Sequence, residues 1–197
     1  AIVDTDGVIW NARWGIGQWG LAPLAGTALS RLIDIVWMAL IVSGCAQGWA
    51  HIGLGRGSWL PGLRRGLIWS AGCGALAALG WGVLLAAGIE PLRLLHPGPV
   101  ARPANPALLF LVGGFIGPVA EEIFFRGLIY GYLRRWGIWT ALALSTLIFT
   151  LLHAGAFGVP IPQIVGGLVF AAAYEIEKKL LVPITIHVLG NLTLFSL

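Results

Sequence analysis

The sequence predicts an all-α protein, a polytopic bundle of about six transmembrane helices with a polar site between the later helices. Of its 197 residues, 58% are hydrophobic and only 10% are charged, against about 25% charged in a soluble domain. A spanning helix needs about 20 mostly apolar residues, and apolar stretches of this order recur along the chain. The densest charge inside them is the segment EEIFFR at residues 121–126, and charge at membrane depth tends to be retained where it is paired or used.

We predict a single membrane domain in three parts. Residues 1–26 are rich in Trp and Gly and suit the membrane interface, where indole rings concentrate. Residues 27–105 hold two N-terminal spans and their loops, and residues 106–197 hold the helices with the polar motifs. The expected spans are residues 27–48, 67–89, 106–133, 138–153, 161–176 and 181–197.

The two N-terminal spans are read as structural. Arg31 and Asp34 share one face of the first span, since they are three residues apart, and we expect them to pair with each other. Residues 49–66, interrupted by Pro61, are expected to form a basic loop before the second span. That span is rich in Gly and Ala, which permit close helix packing in lipid.

Basic residues favour one membrane topology. The loops after the first, third and fifth spans carry most of them: Arg56, Arg64, Arg65, Arg134, Arg135, Lys178 and Lys179. Loops rich in Lys and Arg stay in the cytoplasm, so both termini are predicted to be non-cytoplasmic. The net charge of +4 is read as this topology signal and not as nucleic-acid binding, because no basic cluster is interleaved with aromatic residues in a polar setting.

Helix geometry separates the two adjacent glutamates. Glu122 and Arg126 are four residues apart, so they share a face and can neutralise each other as a structural support. Glu121 points about 100° away and has no local partner, which makes it the candidate working acid. Pro118, directly after Gly117, is expected to start a new helical segment and to place both acids near its N-terminus, where the helix dipole favours negative charge.

Further polar groups interrupt the later apolar spans. Phe149 stands one turn before His153, and His187 stands one turn before Asn191. Polar groups in spans face a bundle interior or a cavity, so these groups and Glu121 can converge there. The set suits hydrolysis. Glu121 would take a proton from water and His153 would orient that water, while His187 and Asn191 would donate hydrogen bonds to an oxyanion.

A metal site is the main rival within hydrolysis. Glu121, His153 and His187 form a two-histidine, one-carboxylate set that suits zinc. The motif H-E-x-x-H is absent, and the three ligands would come from three different spans. Activation of water without a metal is the preferred hypothesis, with zinc as the alternative.

Three motifs, in this order on successive apolar helices, resemble a known family. They are E-E-x-x-x-R at residues 121–126, F-x-x-x-H at residues 149–153 and H-x-x-x-N at residues 187–191. Over about residues 106–195 the chain is similar to the CAAX-prenyl-endopeptidase and bacteriocin-processing (CPBP, or Abi) family of intramembrane proteases.

The resemblance implies a helical membrane bundle with the active site in a cavity between the motif helices, and no cofactor. It implies Glu121 as the base, with His153 beside it, and His187 with Asn191 as the oxyanion site. It implies structural support from Glu122 and Arg126, and Phe149 is assigned to the same support. Residues 106–197 would then be the CPBP-like catalytic core.

Two functions follow as hypotheses. The first is a glutamate-dependent intramembrane endopeptidase that hydrolyses a membrane-associated peptide or protein. The alternative is a catalytically silent CPBP-like subunit that acts as a scaffold, immunity or accessory protein in a larger membrane complex. Either function requires the lipid bilayer and no nucleic acid. Because the compact form resembles bacterial members of the family, we expect a prokaryotic plasma membrane.

Overall fold

Helices form all the regular structure in the described part of the chain. The computed structural model describes residues 21–45, 48–92, 105–153 and 160–197. The helices are α1 (Leu21–Gly44), α2 (Gly48–His51), α3 (Trp59–Ala86), α4 (Pro106–Trp136), α5 (Ile138–His153), α6 (Ile161–Glu177) and α7 (Leu181–Leu194). Each predicted span corresponds to one of the six longer helices, which confirms the fold class.

The six longer helices fall into two length classes. Three stretches, Leu24–Gly44, Trp59–Ala86 and Pro106–Trp136, are long and apolar enough to cross a membrane. Helices α5, α6 and α7 have 16, 17 and 14 residues, which at about 1.5 Å per residue is less than the bilayer core of about 30 Å. Helices α5 and α6 nevertheless expose large apolar side chains, including Trp139, Leu151 and Val165, whereas most of α7 is buried.

The first predicted span is displaced along the chain. Helix α1 already includes residues 21–26, which the sequence assigned to the interfacial segment, and it ends at Gly44 and not at residue 48. The apolar run LAPLA at residues 21–25 continues the helical pattern of the span. The Trp-rich residues 1–20 lie outside the described residues.

Helix α3 begins at Trp59, eight residues before the predicted start, so the basic loop is shorter than expected and Arg64 and Arg65 are helical. Pro61 lies in the first turn, where its missing N–H has no helical partner to lose. Gly62 and Gly66 on this helix allow close packing against α7, whereas Gly53 and Gly57 before it have positive φ and lie in turns. A Cβ added at Gly66 would lie 2.6 Å from Cβ of Thr185 on α7.

Helix α4 is continuous through Pro118, so the predicted new segment and its N-terminal dipole are wrong. The helix accommodates Pro118 by forming wider, π-helical turns on both sides of it. Two stretches, Val112–Ile116 and Ile123–Tyr130, are π-helical, and Gly117–Glu122 between them is α-helical. Because Pro118 has no N–H, a carbonyl about one turn earlier loses its helical donor. Such π-helical turns often occur at functional sites.

Helix α7 lies at the centre of the bundle. It packs against α3, α4 and α6, and its residues 182–188 are all buried. Helix α5 packs against α6 and the second π-helical stretch of α4, whereas α1 packs along α4 and the short α2. Helices α1 and α3 keep large apolar side chains on the outside, including Trp37 and Leu76. The polar motifs of α4, α5 and α7 therefore meet in the interior.

Ion pairs join helix ends on one side of the bundle. The carboxylate of Glu175 on α6 accepts from the Tyr130 hydroxyl at 2.7 Å and from the Arg134 guanidinium at 3.0 Å. Glu177, at the end of α6, pairs with Arg65 of α3. Basic residues that the sequence assigned to three loops thus lie together, at the start of α3 and at the ends of α4 and α6.

Candidate active site

A buried ion pair forms the base of the site. Glu122 and Arg126 are both 0% exposed, and Arg126 Nη1 donates to Glu122 Oε1 at 2.8 Å. The contact expected from their helical spacing is present. Arg126 Nη2 also donates to the carbonyl of Gly167 on α6, at 3.1 Å. A Cβ at Gly167 would lie 2.9 Å from Cγ2 of Thr146, so glycine allows α5 to approach α6 here.

Glu122 has a second partner that the sequence did not reveal. Its Oε1 also lies 2.7 Å from Nδ1 of His187 on α7. An ionised carboxylate accepts only, so the hydrogen-bond network assigns the proton to Nδ1. The prediction of a self-neutralising pair was incomplete, because Glu122 also fixes the ring of His187.

Glu121 faces three side chains from three other helices. Its Oε2 lies 3.5 Å from Nε2 of His153 and 3.9 Å from Nε2 of His187. Its Oε1 lies 3.6 Å from Nη2 of Arg31 on α1, and its side chain is 13% exposed. Glu121 was predicted to have no local partner, and its charged neighbour Arg31 belongs to a helix remote in the chain. The expected Arg31–Asp34 pair is also present, at 3.4 Å.

Both imidazoles present the same nitrogen to Glu121. His153 Nδ1 donates to the carbonyl of Phe149 one turn earlier, at 2.7 Å. Since Nδ1 of His187 is committed to Glu122 in the same way, each neutral ring directs the lone pair of Nε2 towards Glu121. The separations of 3.5 and 3.9 Å exceed a direct N···O hydrogen bond, and a bridging water suits them.

Two phenylalanine rings pack against the imidazoles of His153 and His187. The ring of Phe149 lies 4.3 Å from that of His153, and Phe170 on α6 stacks on His187 at 4.6 Å. The Arg126 guanidinium lies 4.9 and 5.1 Å from the centroids of Phe149 and Phe170. These contacts hold both rings and cover the cation, and cation–π attraction strengthens when both partners are desolvated.

Asn191 joins the site through the backbone of α4. Its Nδ2 donates to the carbonyl of Gly113 at 2.9 Å, one of the carbonyls that Pro118 leaves without a helical donor. The bond ties α7 to the first π-helical stretch. An amide carries two N–H donors, so one remains for a ligand.

Most of the predicted residues therefore converge. Glu121, Glu122, Arg126, Phe149, His153 and His187 form one contiguous cluster, and Asn191 lies one turn along α7 from His187. In the part of the chain that the structure describes, no group of three or more His, Cys, Asp and Glu is arranged to hold a metal ion.

Three groups that contribute to the site were not predicted from the sequence. Arg31 was read only as the partner of Asp34, although an arginine in an apolar span is itself a signal of a buried or functional partner. Phe170 carries no such signal, because apolar residues surround it in α6. The Gly113 carbonyl could have been suspected from Pro118 five residues later, since a proline inside a helix frees a carbonyl.

An apolar groove lies beside the site. It has a volume of about 520 Å³ and lies between α1, α4 and α5. Its lining is Ile41, Leu128, Ile129, Tyr132, Leu133 and Ile148. It shares three helices with the polar cluster but begins two turns beyond Glu121 on α4.

Fold and site together define a class of protein. Apolar helices surround a buried cluster of two glutamates, an arginine and two histidines, and a further arginine borders it. This is an integral membrane protein with a candidate hydrolytic centre inside its helix bundle.

Comparison with known proteins agrees with this class. Residues 103–193 match the family model described as "Type II CAAX prenyl endopeptidase Rce1-like". The chain is 38% identical over 93 residues to the "Membrane-embedded CAAX protease MroQ" of Staphylococcus aureus, covering 44% of this chain and 37% of that protein. It is 33% identical over 85 residues to the "Putative membrane peptidase YdiL" of Bacillus subtilis, covering 43% of this chain and 34% of that protein. No solved structure matches significantly.

The matched region contains all the polar residues of the three motifs. Residues 103–193 match the Rce1-like CAAX protease family model, which confirms the resemblance found over about residues 106–195. The aligned part spans about a third of the length of the two curated relatives, at 37% and 34%. The match favours the peptidase hypothesis over a non-catalytic subunit.

Proposed function

We propose that this protein is a glutamate-dependent intramembrane endopeptidase that hydrolyses a peptide bond of a membrane-associated peptide or protein. One observation carries the proposal. Glu121 Oε2 lies within 4 Å of Nε2 of both His153 and His187, in a region that matches a CAAX protease family model. Because the site lies inside a bundle of apolar helices, we expect a substrate that is itself membrane-associated.

The first chemical step is the activation of water. A water that donates one hydrogen to Glu121 Oε2 and the other to His153 Nε2 is held by two acceptors, and its oxygen lone pairs face outwards. As that oxygen attacks the peptide carbonyl carbon, Glu121 takes the proton, which is general base catalysis. The new C–O bond gives a tetrahedral intermediate whose former carbonyl oxygen is negative.

The negative oxygen needs hydrogen-bond donors. Asn191 can offer its second amide N–H. His187 can donate from Nε2 only in its doubly protonated form, because its Nδ1–H is committed to Glu122. Fixed donors of this kind are worth several kcal/mol, about 3–4 for one such donor in a characterised protease.

Collapse of the intermediate returns the proton. Glu121 transfers it to the amide nitrogen as the C–N bond breaks, so an amine and a carboxylic acid leave and the carboxylate is restored. The proposed cycle uses no metal ion, because Glu121 and His153 supply the water activation that zinc would otherwise provide.

Cleavage of a peptide library by the purified protein in proteoliposomes tests this function. Wild type is expected to cut at least one apolar peptide, with unchanged turnover after treatment with a chelator. His153→Ala is expected to lower kcat by about 100-fold, in line with the loss of one water-orienting group. His51→Ala, an exposed histidine of α2, serves as the control. Full activity in His153→Ala would contradict the mechanism, and loss of activity with the chelator would favour zinc.

We also propose that both termini face away from the cytoplasm in a prokaryotic plasma membrane. Clustering of Arg65, Arg134 and Lys178 around Glu175 and Glu177 supports this orientation, since it gathers the basic residues at one end. Alkaline phosphatase fused after Leu197 is expected to be active and a fusion after Gly137 inactive. The reverse pattern of activities would invert the orientation.

A further inference from the structure

We propose that Arg31 is a positioning residue of the active site, which holds Glu121 so that one carboxylate oxygen faces the imidazoles. The inference rests on the proposed role of Glu121 as base. Arg31 lies on α1, outside residues 103–193 that match the family and outside the predicted catalytic core of residues 106–197. The working site therefore extends into the N-terminal part of the chain.

The guanidinium of Arg31 bridges two carboxylates. Its Nη1 lies 3.4 Å from Oδ2 of Asp34 on its own helix, and its Nη2 lies 3.6 Å from Oε1 of Glu121. Asp34, one turn further along α1, limits the movement of the guanidinium. The group can then act on Glu121 from a fixed direction.

The two oxygens of Glu121 are divided between two sets of partners. Oε1 faces Arg31, whereas Oε2 faces His153 and His187. Because a carboxylate is planar and its last torsion is soft, attraction at Oε1 sets the direction of Oε2. Arg31 thereby selects which oxygen takes the proton from water.

Arg31 also completes the charge balance around Glu121. Helix α5 contributes His153 and α7 contributes His187, and both rings can be neutral. On its own helix, Glu121 has the adjacent Glu122, whose charge Arg126 offsets. Arg31, with Asp34 behind it, is the permanent cation that approaches Glu121 from another helix in the described residues. It therefore places positive charge beside the carboxylate that is proposed to act as the general base.

Arg31 can be substituted without creating a cavity in the packed core. Its side chain is 36% exposed and that of Asp34 is 48% exposed, so neither is part of the close-packed interior. A defect in Arg31 variants can thus be separated from loss of folding, unlike a defect at the fully buried Arg126.

Steady-state kinetics of the full chain in proteoliposomes tests the proposal, with a peptide that wild type cuts. Arg31→Ala is expected to lower kcat by about 30-fold with KM within about twofold, because a displaced catalytic group costs up to about 100-fold. Arg31→Lys retains the charge and should recover most of kcat. Asp34→Asn should give a smaller loss than Arg31→Ala. Arg64→Ala removes an exposed arginine of α3 and is the matched control.

The outcomes separate the two proposals. An active wild type with an unchanged kcat in Arg31→Ala would overturn the positioning role and leave the protease intact, as would a defect confined to KM. If wild type cuts nothing, the protease proposal fails. The contact itself is then tested by a double-mutant cycle on the Tm in detergent. The effects of Arg31→Ala and Glu121→Gln should be non-additive, and additive effects would overturn the contact.

Discussion

Glu121→Gln is expected to lower kcat for peptide cleavage by about 1,000-fold, within the range for loss of a general base. The amide matches the carboxylate in size but cannot take a proton from water. The Nδ1 bonds of His153 and His187 are kept in this variant, so the substitution removes only the proton acceptor that the proposal assigns to Glu121. Turnover of a cleaved peptide, measured beside the Tm in detergent, gives the comparison.

The effect should be specific to this position. Glu90→Gln changes an exposed glutamate after α3 in the same way and is expected to leave kcat unchanged. The Tm of Glu121→Gln should stay within a few degrees of wild type, since glutamine matches glutamate in size and its side-chain oxygen can still accept from Arg31. Retained turnover in Glu121→Gln would assign the base to another group.

Arg126→Met is expected to destabilise the protein by about 3–5 kcal/mol, which is typical when one partner of a buried ion pair is removed. Methionine fills part of the volume but leaves Glu122, 0% exposed, without its cation. The bond to the Gly167 carbonyl is lost as well. The free energy of unfolding in mixed micelles, measured against wild type, reports the loss.

Two further variants test whether the unpaired charge of Glu122 causes the loss of stability in Arg126→Met. Arg135→Met removes an exposed arginine of the same helix and should change stability little. In the double variant Glu122→Gln with Arg126→Met, no buried charge is left unpaired, and the side-chain amide oxygen introduced by Glu122→Gln can still accept from His187. This double variant should recover much of the lost stability, because replacing a whole buried pair is often close to neutral. A single Arg126→Met variant as stable as wild type would show that the pair contributes little.

Local spacing explains what could be predicted of the site. Glu122 and Arg126 are one helical turn apart, and so are Phe149 and His153, so their contacts depend only on helix geometry. In addition, polar groups within membrane spans face the interior of the bundle and not the lipid. Together these two rules predict that Glu121 and the two histidines share a common interior.

Other contacts of the site could not be predicted, because they join helices that are remote in the chain. The partner of Glu121 on α1, the stacking of Phe170 on His187 and the bond from Asn191 to Gly113 each depend on how two helices cross. The same holds for Gly66, which was read as part of a loop although it permits contact with Thr185. Neither periodicity nor composition specifies these crossings.

The sequence by itself determined that this protein is an all-helical membrane bundle whose three ordered motifs resemble those of CAAX proteases, because composition, apolar length and motif spacing are local properties. Only the tertiary structure decided how the charges pair. It placed Arg31 beside Glu121 and His187 beside Glu122, so each glutamate has a partner from a helix remote in the chain. The physical reason is that an unpaired charge is costly in the low-dielectric interior, so a buried charge is retained where it has a partner close in space. Helix packing determines which partner that is.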